Sequence, residues 1–341
     1  MRKTSLNDIA QQLGVSKTLV SLVLNGKAKE HRISDEICRK VIDLAKELNY
    51  HPNQIAKGLR TGKTNTIGLI IAEIANPFFG KLGREIEREA SRHGYRIIFC
   101  SSDEKAENAK QQIEMLLQGQ VDGFIISPPN GSEEPIKLLE RRKIPYVLID
   151  RYFPEIESNY VVVDNFQASY EGTEYMINNN CKRIACISIN AGLVNMDSRL
   201  DGYKKALSDA SCKIDEDLIK ILPFSHEIND VMKAIRELTT NKKNNIDAIL
   251  FTTSKVGVMG LQCLHSLNLK IPDDIAVVSF DDPDAYKISQ PPITAIAQPL
   301  EEIGRQSVKV LLGAIHNKKG KMMLHQIMLK TKFVIRDSSK K

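Results

Sequence analysis

The sequence lacks several features that mark membrane proteins and common enzymes. No apolar run approaches the roughly 18 residues that a membrane-spanning helix needs. The seven histidines and six cysteines show no spacing typical of a metal site. We find no nucleophile elbow, no intact phosphate-binding loop and no positioned pair of acids. We therefore predict a protein that is not an enzyme, that has no membrane partner, and that uses no metal or cofactor.

The cysteines are scattered along the chain without a CxxC pair. This usage is typical of reduced, mostly buried thiols in a cytoplasmic protein. The opening residues MRKTS lead directly into a helical pattern, so we expect no secretory signal. A length of 341 residues favours two or three domains with sizeable cores.

Positive charge is concentrated near the N-terminus. Residues 1–64 contain 12 lysines and arginines against 6 aspartates and glutamates, whereas the remaining residues carry the two signs in equal numbers. The entire net charge of +6 therefore belongs to the first fifth of the chain. A basic domain joined to a neutral one indicates that only the first part meets a polyanion such as DNA.

Residues 6–25 predict a helix-turn-helix. Apolar residues recur at helical spacing, and Ser5 with Asp8 matches a capping box. Gly14 interrupts the pattern, and Ser16 is placed to cap a second helix. Small or branched residues occupy the tight-contact positions of such a motif, namely Ala10, Gly14, Val20 and Val23. An ordinary helical hairpin is the alternative.

A third helix, predicted from Ser34 to about Asn49, completes a three-helix head over residues 1–49. Residues 50–64 form a predicted hinge that is too short for a stable helix in water, so we expect it to fold only on DNA. The segment Gly58–Thr64 looks like a phosphate-binding loop, but it has only three residues between its glycines and precedes a strand.

From Thr66 onwards, apolar runs alternate with amphipathic helical patterns. Nine runs have strand length: 67–74, 96–101, 123–127, 146–150, 160–163, 183–189, 248–252, 276–280 and 293–297. Because nearly continuous apolar strands separated by helices are typical of parallel sheets covered on both faces, we predict an α/β core. Nine strands exceed one comfortable sheet, which favours two doubly wound lobes.

The helix-turn-helix, the junction NYHPNQIAKGLRTGKTNTIGLI and the stretches NPFF, IPDDIAVVSFDD and ITAIAQP resemble the lactose/galactose repressor (LacI) family. The resemblance runs from about Thr4 to Arg336. It implies an N-terminal helix-turn-helix head with a hinge helix, then a two-lobed, periplasmic-binding-protein-like core over residues 65–330. The N-lobe would comprise 65–163 and 297–330, the C-lobe 164–296, and a C-terminal tail 331–341. The chain would cross between lobes near 163–164, near 295–296 and again close to its end.

The resemblance also implies a function: a ligand-responsive, sequence-specific DNA-binding regulator, expected to repress genes of carbohydrate metabolism. A homodimer would bind double-stranded, palindromic operator DNA. The start of the second helix would read the major groove, and the hinge leucine Leu59 would enter the minor groove, although packing on the core is an alternative for it. Leu22 departs from the family, in which a hydrogen-bond donor is common there. The predicted DNA-binding residues are Ser16, Lys17, Thr18, Ser21, Leu22, Asn25, Asn53, Ala56, Lys57 and Leu59.

Ligands of doubly wound sheets bind beyond the carboxyl ends of the strands. Several aromatic or charged residues fall there, or match ligand-binding positions of the family. The predicted effector-binding residues are Phe78, Phe79, Asp150, Arg199, Phe224, Ser254 and Asp281. The alternatives are core packing for the phenylalanines, a turn cap for Asp150 and a solvated helix position for Arg199.

Ser254 and Lys255 stand where many sugar-responsive relatives carry Asn-Asp. A hydroxyl and a cation suit an anionic ligand, so the effector is expected to be a sugar, a sugar acid or a sugar phosphate. A solvated Lys255, or one paired with Asp281 or Asp282, is the alternative. No apolar heptads follow the core, so we expect a dimer and not a tetramer. An α/β enzyme and a free sugar-binding module for transport are the competing functions, and the basic head argues against both.

Overall fold

A computed structural model of the protein describes residues 4–50, 63–190, 192–240, 246–317 and 324–340. The chain divides into two compact units, Met1–Thr64 and Asn65–Lys341. No helix in the described part of the chain has both the length and the apolar character needed to cross a lipid bilayer.

The first unit contains three helices, α1 (Leu6–Leu13), α2 (Lys17–Leu24) and α3 (Asp35–Glu47). The predicted capping box is confirmed, because Ser5 and Asp8 exchange side-chain to backbone hydrogen bonds at the start of α1. Gly14 ends α1 with φ of +63°, a left-handed conformation that glycine adopts without steric cost. The predicted helix-turn-helix is therefore present.

A small apolar core joins these three helices. Ile9, Val20 and Val41, one from each helix, are fully buried. Ala10 is also buried, and its small side chain lets α1 and α2 approach closely. A core of this size provides little stability by itself, which is typical of such short helical units.

The second unit contains two six-stranded sheets. The first sheet, which we call the N-lobe sheet, consists of β1 (Thr66–Ile71), β2 (Arg96–Ser101), β3 (Gly123–Ile126), β4 (Tyr146–Ile149), β5 (Tyr160–Val163) and β11 (Gln326–Leu329). Its order is β11-β5-β4-β3-β1-β2, and all neighbouring strands are parallel. Helices α4 (Pro77–Arg92) and α12 (Leu300–His316) cover one face, and α5 (Ala106–Gln118) and α6 (Glu133–Arg141) cover the other.

The second sheet, the C-lobe sheet, repeats this arrangement. Its strands are β6 (Ile184–Asn190), β7 (Ile219–Pro223), β8 (Ala248–Phe251), β9 (Ala276–Phe280), β10 (Thr294–Ala297) and β12 (Lys332–Val334). The order is β12-β10-β9-β8-β6-β7, and only the β10–β12 pair is antiparallel. Helices α7 (Asn165–Asn178) and α8 (Val194–Asp209) cover one face. Helices α9 (Ile228–Thr240), α10 (Ser254–Ser266) and the short α11 (Asp284–Ile288) cover the other.

The chain passes between the two sheets three times: after β5, after β10 and between β11 and β12. The second crossing follows Ala297, two residues beyond its predicted position. Ala295 and Ile296 still pair with β9 and β12, and these pairs hold them in the C-lobe sheet.

The residues predicted as a tail, 331–341, include part of the core. They contain β12 and a short 3-10 helix, Asp337–Ser339. Ser338 is buried, and its hydroxyl oxygen accepts a hydrogen bond from the Thr294 amide at 2.8 Å. The predicted boundary at residue 330 is therefore too early, because β12 has only three residues and none of them is fully buried.

All nine predicted strands are present, and the prediction did not include β7, β11 and β12. Strand β7 lies at the edge of the C-lobe sheet, where only Leu222 of its five residues is buried. A partly exposed edge strand lacks the continuous apolar run on which the prediction depended.

Candidate functional site

A cleft between the two lobes collects the side chains at the carboxyl ends of the strands. It encloses about 620 Å³, part of it open to solvent. Its lining is mixed polar, charged and aromatic: Glu73, Asn76, Phe78, Phe79, Glu104, Asp150, Arg151, Ile189, Leu193, Asn195, Met196, Arg199, Phe224, His226, Thr253, Lys255, Asp281 and Gln298. A mixture of apolar and aromatic side chains with a few polar and charged groups is typical of a small-molecule site.

Asp150 follows β4 directly and turns into the cleft with φ of +67°, a conformation in which aspartate is enriched. Its carboxylate accepts hydrogen bonds from Ser127 Oγ at 3.3 Å and, across the cleft, from Asn195 Nδ2 at 3.4 Å. Burial raises the pKa of Asp150 above its usual range, and the charges of Arg151 and Arg199 oppose that rise. Asp150 is thus held by groups from both lobes.

Asp281 occupies the matching place in the other lobe, directly after β9, with φ of +63°. Its carboxylate accepts hydrogen bonds from Ser254 Oγ at 3.0 Å and from Gln298 Nε2 at 2.8 Å. Oε1 of Gln298 is buried and has no hydrogen-bond partner among the described residues. The cleft therefore contains an aspartate directly after a strand in each lobe, and an amide oxygen without a hydrogen-bond partner among the described residues.

Arg199 is a buried cation held from the C-lobe side. Its Nε donates to Asn165 Oδ1 at 2.8 Å, its Nη1 donates to the Thr252 carbonyl oxygen at 2.6 Å, and its guanidinium carbon lies 4.0 Å from the centre of the Phe280 ring. Burial lowers the pKa of Arg199, while the carboxylates of Asp281 and Asp150 oppose this shift. The remaining nitrogen, Nη2, forms no hydrogen bond with the part of the chain that the structure describes.

The other two cations of the lining are paired with carboxylates. Arg151 is buried and donates to Glu104, and burial raises the pKa of Glu104 against the opposing charge of Arg151. Lys255, from α10 of the C-lobe, lies 3.3 Å from both oxygens of Glu73, which follows β1 in the N-lobe. This second pair crosses the cleft and is about one third exposed.

Two aromatic rings complete the N-lobe side. Asn76 caps α4, since its Oδ1 accepts from the Phe78 amide at 3.0 Å, and Pro77 occupies the first helical turn. This turn places Phe78 and Phe79 edge to face, with ring centres 5.0 Å apart. Both rings line the cleft and also pack into the core.

The first unit presents a polar surface at the start of α2. Ser16, Lys17, Thr18 and Asn25 are exposed, and Ser21 and Leu22 are partly exposed. Ser16 Oγ accepts from the Leu19 amide at 3.1 Å, so this side chain caps the helix. Asn25 Nδ2 donates to Ser21, to its carbonyl oxygen at 2.6 Å and to its hydroxyl at 3.3 Å. The predicted hinge residues Asn53, Ala56, Lys57 and Leu59 lie outside the described residues.

Comparison with known proteins explains this combination. Residues 5–53 match the family model of bacterial regulatory proteins of the lacI family, and residues 64–336 match that of periplasmic binding proteins and the sugar binding domain of the LacI family. The chain belongs to the LacI family. The predicted resemblance is therefore confirmed, as is the fold of a helix-turn-helix followed by a two-lobed α/β core.

Similar LacI-family regulators cover nearly the whole chain. The transcriptional regulator DegA of Bacillus subtilis (strain 168) is 30% identical over 341 residues, 99% of this chain and 98% of DegA. The ribose operon repressor of Escherichia coli (strain K12) is 30% identical over 91% of this chain and 93% of its own. These relatives are regulators and not enzymes, which confirms that prediction for the family.

Solved structures give the same result for the fold. The transcriptional regulator CelR–cellobiose complex matches with a TM-score of 0.72 and 27% identity, covering 98% of this chain and all of that one. The Lac repressor dimer bound to operator and the anti-inducer ONPF matches with a TM-score of 0.87 at 21% identity, over 99% of each chain. At that identity the second match concerns the LacI-family fold alone.

Seven residues were predicted to bind the effector, and six of them line the cleft between the two lobes. The exception is Ser254, which is buried behind Asp281 and donates to it. The neighbouring Lys255 pairs with Glu73, a partner that was not among the alternatives left open by the sequence. Asp282 instead forms a two-point pair with Arg336, each contact 2.8 Å long.

Sequence reasoning missed several lining residues, above all His226. This histidine lies between β7 and α9, and β7 was not recognised as a strand. Its neighbour Phe224 was found only through the family resemblance, because a residue beyond an unrecognised strand carries no local sign that it faces a cleft. The apolar residues Leu218, Ile219, Ile221 and Leu222, interrupted only by Lys220, were the signal that could have revealed this strand.

Proposed function

We propose that this protein represses transcription by binding a palindromic operator as a homodimer, and that a small molecule in the cleft sets its affinity for DNA. The observation that carries this proposal is the coexistence, in one LacI-family chain, of an exposed α2 face with a cleft whose buried polar atoms retain unused hydrogen-bonding capacity.

For DNA reading, we assign the main role to Lys17 and Thr18. Both are exposed at the N-terminal end of α2, the part of a recognition helix that contacts base edges. Lysine donates to guanine O6 and N7, and threonine contacts base edges or a thymine methyl group. Part of the hydrogen-bonding capacity of Ser16, Ser21 and Asn25 is already used by contacts within the helix. Leu22 offers only apolar contact. The hinge residues Asn53, Ala56, Lys57 and Leu59 are assigned to the minor groove.

For regulation, we propose that the ligand favours one arrangement of the lobes. Contacts that cross the cleft, such as Asn195 to Asp150 and Lys255 to Glu73, would form or break as the lobes move. A ligand shifts this equilibrium only through different affinities for the two arrangements. Coupling of about 1–3 kcal/mol would change operator affinity by about 5–150-fold.

We infer that the ligand is an uncharged, polyhydroxylated molecule. Lys255 and Arg151 each face a carboxylate, and Arg199 lies in the field of Asp150 and Asp281. Among the described lining residues, no cation is left without an opposing acid to attract a sugar acid or a sugar phosphate. Unused donors and acceptors favour hydroxyl groups, which provide both functions. The cellobiose of the CelR complex and the name of the ribose operon repressor agree with this choice.

Footprinting on genomic fragments at stated salt concentrations tests the DNA part of the proposal. The full-length protein should protect a short palindrome, and Lys17→Ala should weaken binding and relax selectivity at one base position of each half-site, by about 1–3 kcal/mol. Lys46→Ala, at an exposed lysine near the end of α3, is the matched control and should retain that selectivity. Equal effects of the two substitutions would contradict the assignment.

A thermal-shift panel tests the ligand part. D-ribose, D-glucose, D-galactose and cellobiose are compared with D-gluconate and D-glucose 6-phosphate on the full-length protein. An uncharged sugar at 100 times its Kd should stabilise the folded protein by about 2.7 kcal/mol and thereby raise its Tm. The same sugar should change the operator affinity. Stabilisation by the charged compounds alone would contradict the inferred class.

A further inference from the structure

His226 is a cleft residue with an unusual combination of burial and unused capacity. The residue is only 4% exposed, and it lines the cleft beside Phe224 and Lys255. Nδ1 lies 3.0 Å from the carbonyl oxygen of Pro223. Nε2 is buried and has no hydrogen-bond partner in the described part of the chain.

The contact with Pro223 determines the tautomer of His226. A carbonyl oxygen only accepts hydrogen bonds, so Nδ1 must carry the proton that it donates. Burial lowers the pKa of His226, the hydrogen bond to Pro223 opposes this shift, and the positive charge of Lys255 adds to it, so that the pKa is lowered overall. The ring is therefore neutral near pH 7, and Nε2 keeps a free lone pair.

We propose that His226 is a specificity-determining residue, whose Nε2 accepts a hydrogen bond from a hydroxyl group of the ligand. A buried acceptor without a partner is costly, so a molecule that supplies a donor at this point is favoured over one that does not. Arg199 Nη2 presents the complementary donor in the same cleft. The inference rests on the proposed function, because it assumes a small molecule in the cleft.

The two ring nitrogens of His226 have separable roles, and two substitutions distinguish them. His226→Asn places an amide near the position of Nδ1, so it retains the contact with Pro223 and removes the acceptor in the cleft. His226→Gln places its amide near the position of Nε2, so it retains an acceptor in the cleft and gives up the contact with Pro223. A residue that only holds its own loop would tolerate asparagine better than glutamine.

The experiment measures the Kd of the full-length protein for whichever uncharged sugar of the panel D-ribose, D-glucose, D-galactose and cellobiose raises the Tm most. His226→Asn should weaken binding about tenfold, and His226→Gln should weaken it less. Monodeoxy analogues of that sugar supply the second measurement. One of them should bind the original protein about tenfold more weakly, yet show little further loss with His226→Asn.

The outcomes separate this inference from the proposed function. If the sugar stabilises the protein and changes operator affinity, but His226→Asn binds it as well as the original protein does, His226 has no such role and the proposed function stands. The inference is also overturned if the binding energy lost by removing a hydroxyl group and that lost by His226→Asn add up for every monodeoxy analogue. If no sugar of the panel binds, both the inference and the proposed ligand class are wrong, while footprinting still reports on DNA binding.

Discussion

The N-lobe and C-lobe sheets have the same strand order, yet they bring different chemistry to the cleft. Asp150 after β4 and Asp281 after β9 occupy matching places, and both adopt positive φ. The N-lobe adds two aromatic rings and the Glu104–Arg151 pair, whereas the C-lobe adds Arg199 and His226. The repeated topology decides where ligand-facing side chains stand, and the local sequence decides what they do.

The helices that follow β1 and β6 show a similar difference in packing. A Cβ on Gly202 of α8 would lie 2.2 Å from the backbone carbonyl oxygen of Phe166. A Cβ on Gly83 of α4 would lie equally close to the ring of Phe99, which is a side chain at the sheet edge and 37% exposed. The C-lobe position is closed by backbone, while the N-lobe position is closed by a group that can move.

The largest expected effect concerns Arg199. Replacing it by methionine, Arg199→Met, leaves Asp281 without its buried cation, leaves Asp150 with Arg151 alone, and leaves Asn165 Oδ1 without a donor. We expect the free energy of unfolding, measured by urea denaturation, to fall by about 3–5 kcal/mol. The control Arg88→Met removes a half-exposed cation of the N-lobe, paired with Glu85 at 3.1 Å, and should cost less than about 1 kcal/mol. Similar losses for the two variants would show that Arg199 is not needed to compensate the acids.

An intermediate effect is expected from glycine substitutions. Gly202→Ala should cost about 1–3 kcal/mol, because the α7 backbone cannot yield without moving the helix. Gly80→Ala in α4 meets no atom within 4 Å and should instead stabilise the protein by up to about 1 kcal/mol. The difference in Tm between these variants measures the cost of the backbone contact at Gly202, because Gly80 faces open space. A harmless Gly202→Ala would show that the α7 backbone yields at little cost.

The smallest effect is expected for the pair that crosses the cleft. Glu73→Gln, Lys255→Met and the double variant form a cycle whose coupling energy should be about 0.2–1 kcal/mol, because both side chains are about one third exposed. The coupling should decrease as salt is added. Lys220 and Glu237, paired at 2.9 Å within the C-lobe, give the matched control for a pair that does not cross. If the variants of the Glu73–Lys255 pair change the ligand affinity and those of the Lys220–Glu237 pair do not, the pair across the cleft contributes to lobe closure.

Local signals made the helix-turn-helix predictable. Its caps depend on residues three positions apart, as in Ser5 with Asp8 and Ser16 with the Leu19 amide. The central strands could also be predicted from the sequence, because a strand buried on both faces requires a continuous apolar run. Strand β7 escaped detection because an edge position relaxes that requirement, and β12 was assigned to the tail because it is only three residues long.

In the cleft, the sequence by itself determined which side chains stand at the ends of the predicted strands, since chain order and strand length decide that. It therefore identified Asp150 and Asp281. Only the tertiary structure decided how the lining residues pair: Lys255 lies opposite Glu73, Arg151 contacts Glu104, and Nε2 of His226 is buried without a partner among the described residues. Each of these relations joins residues distant in sequence or depends on burial, and burial is a property of the packed lobes and not of any local pattern.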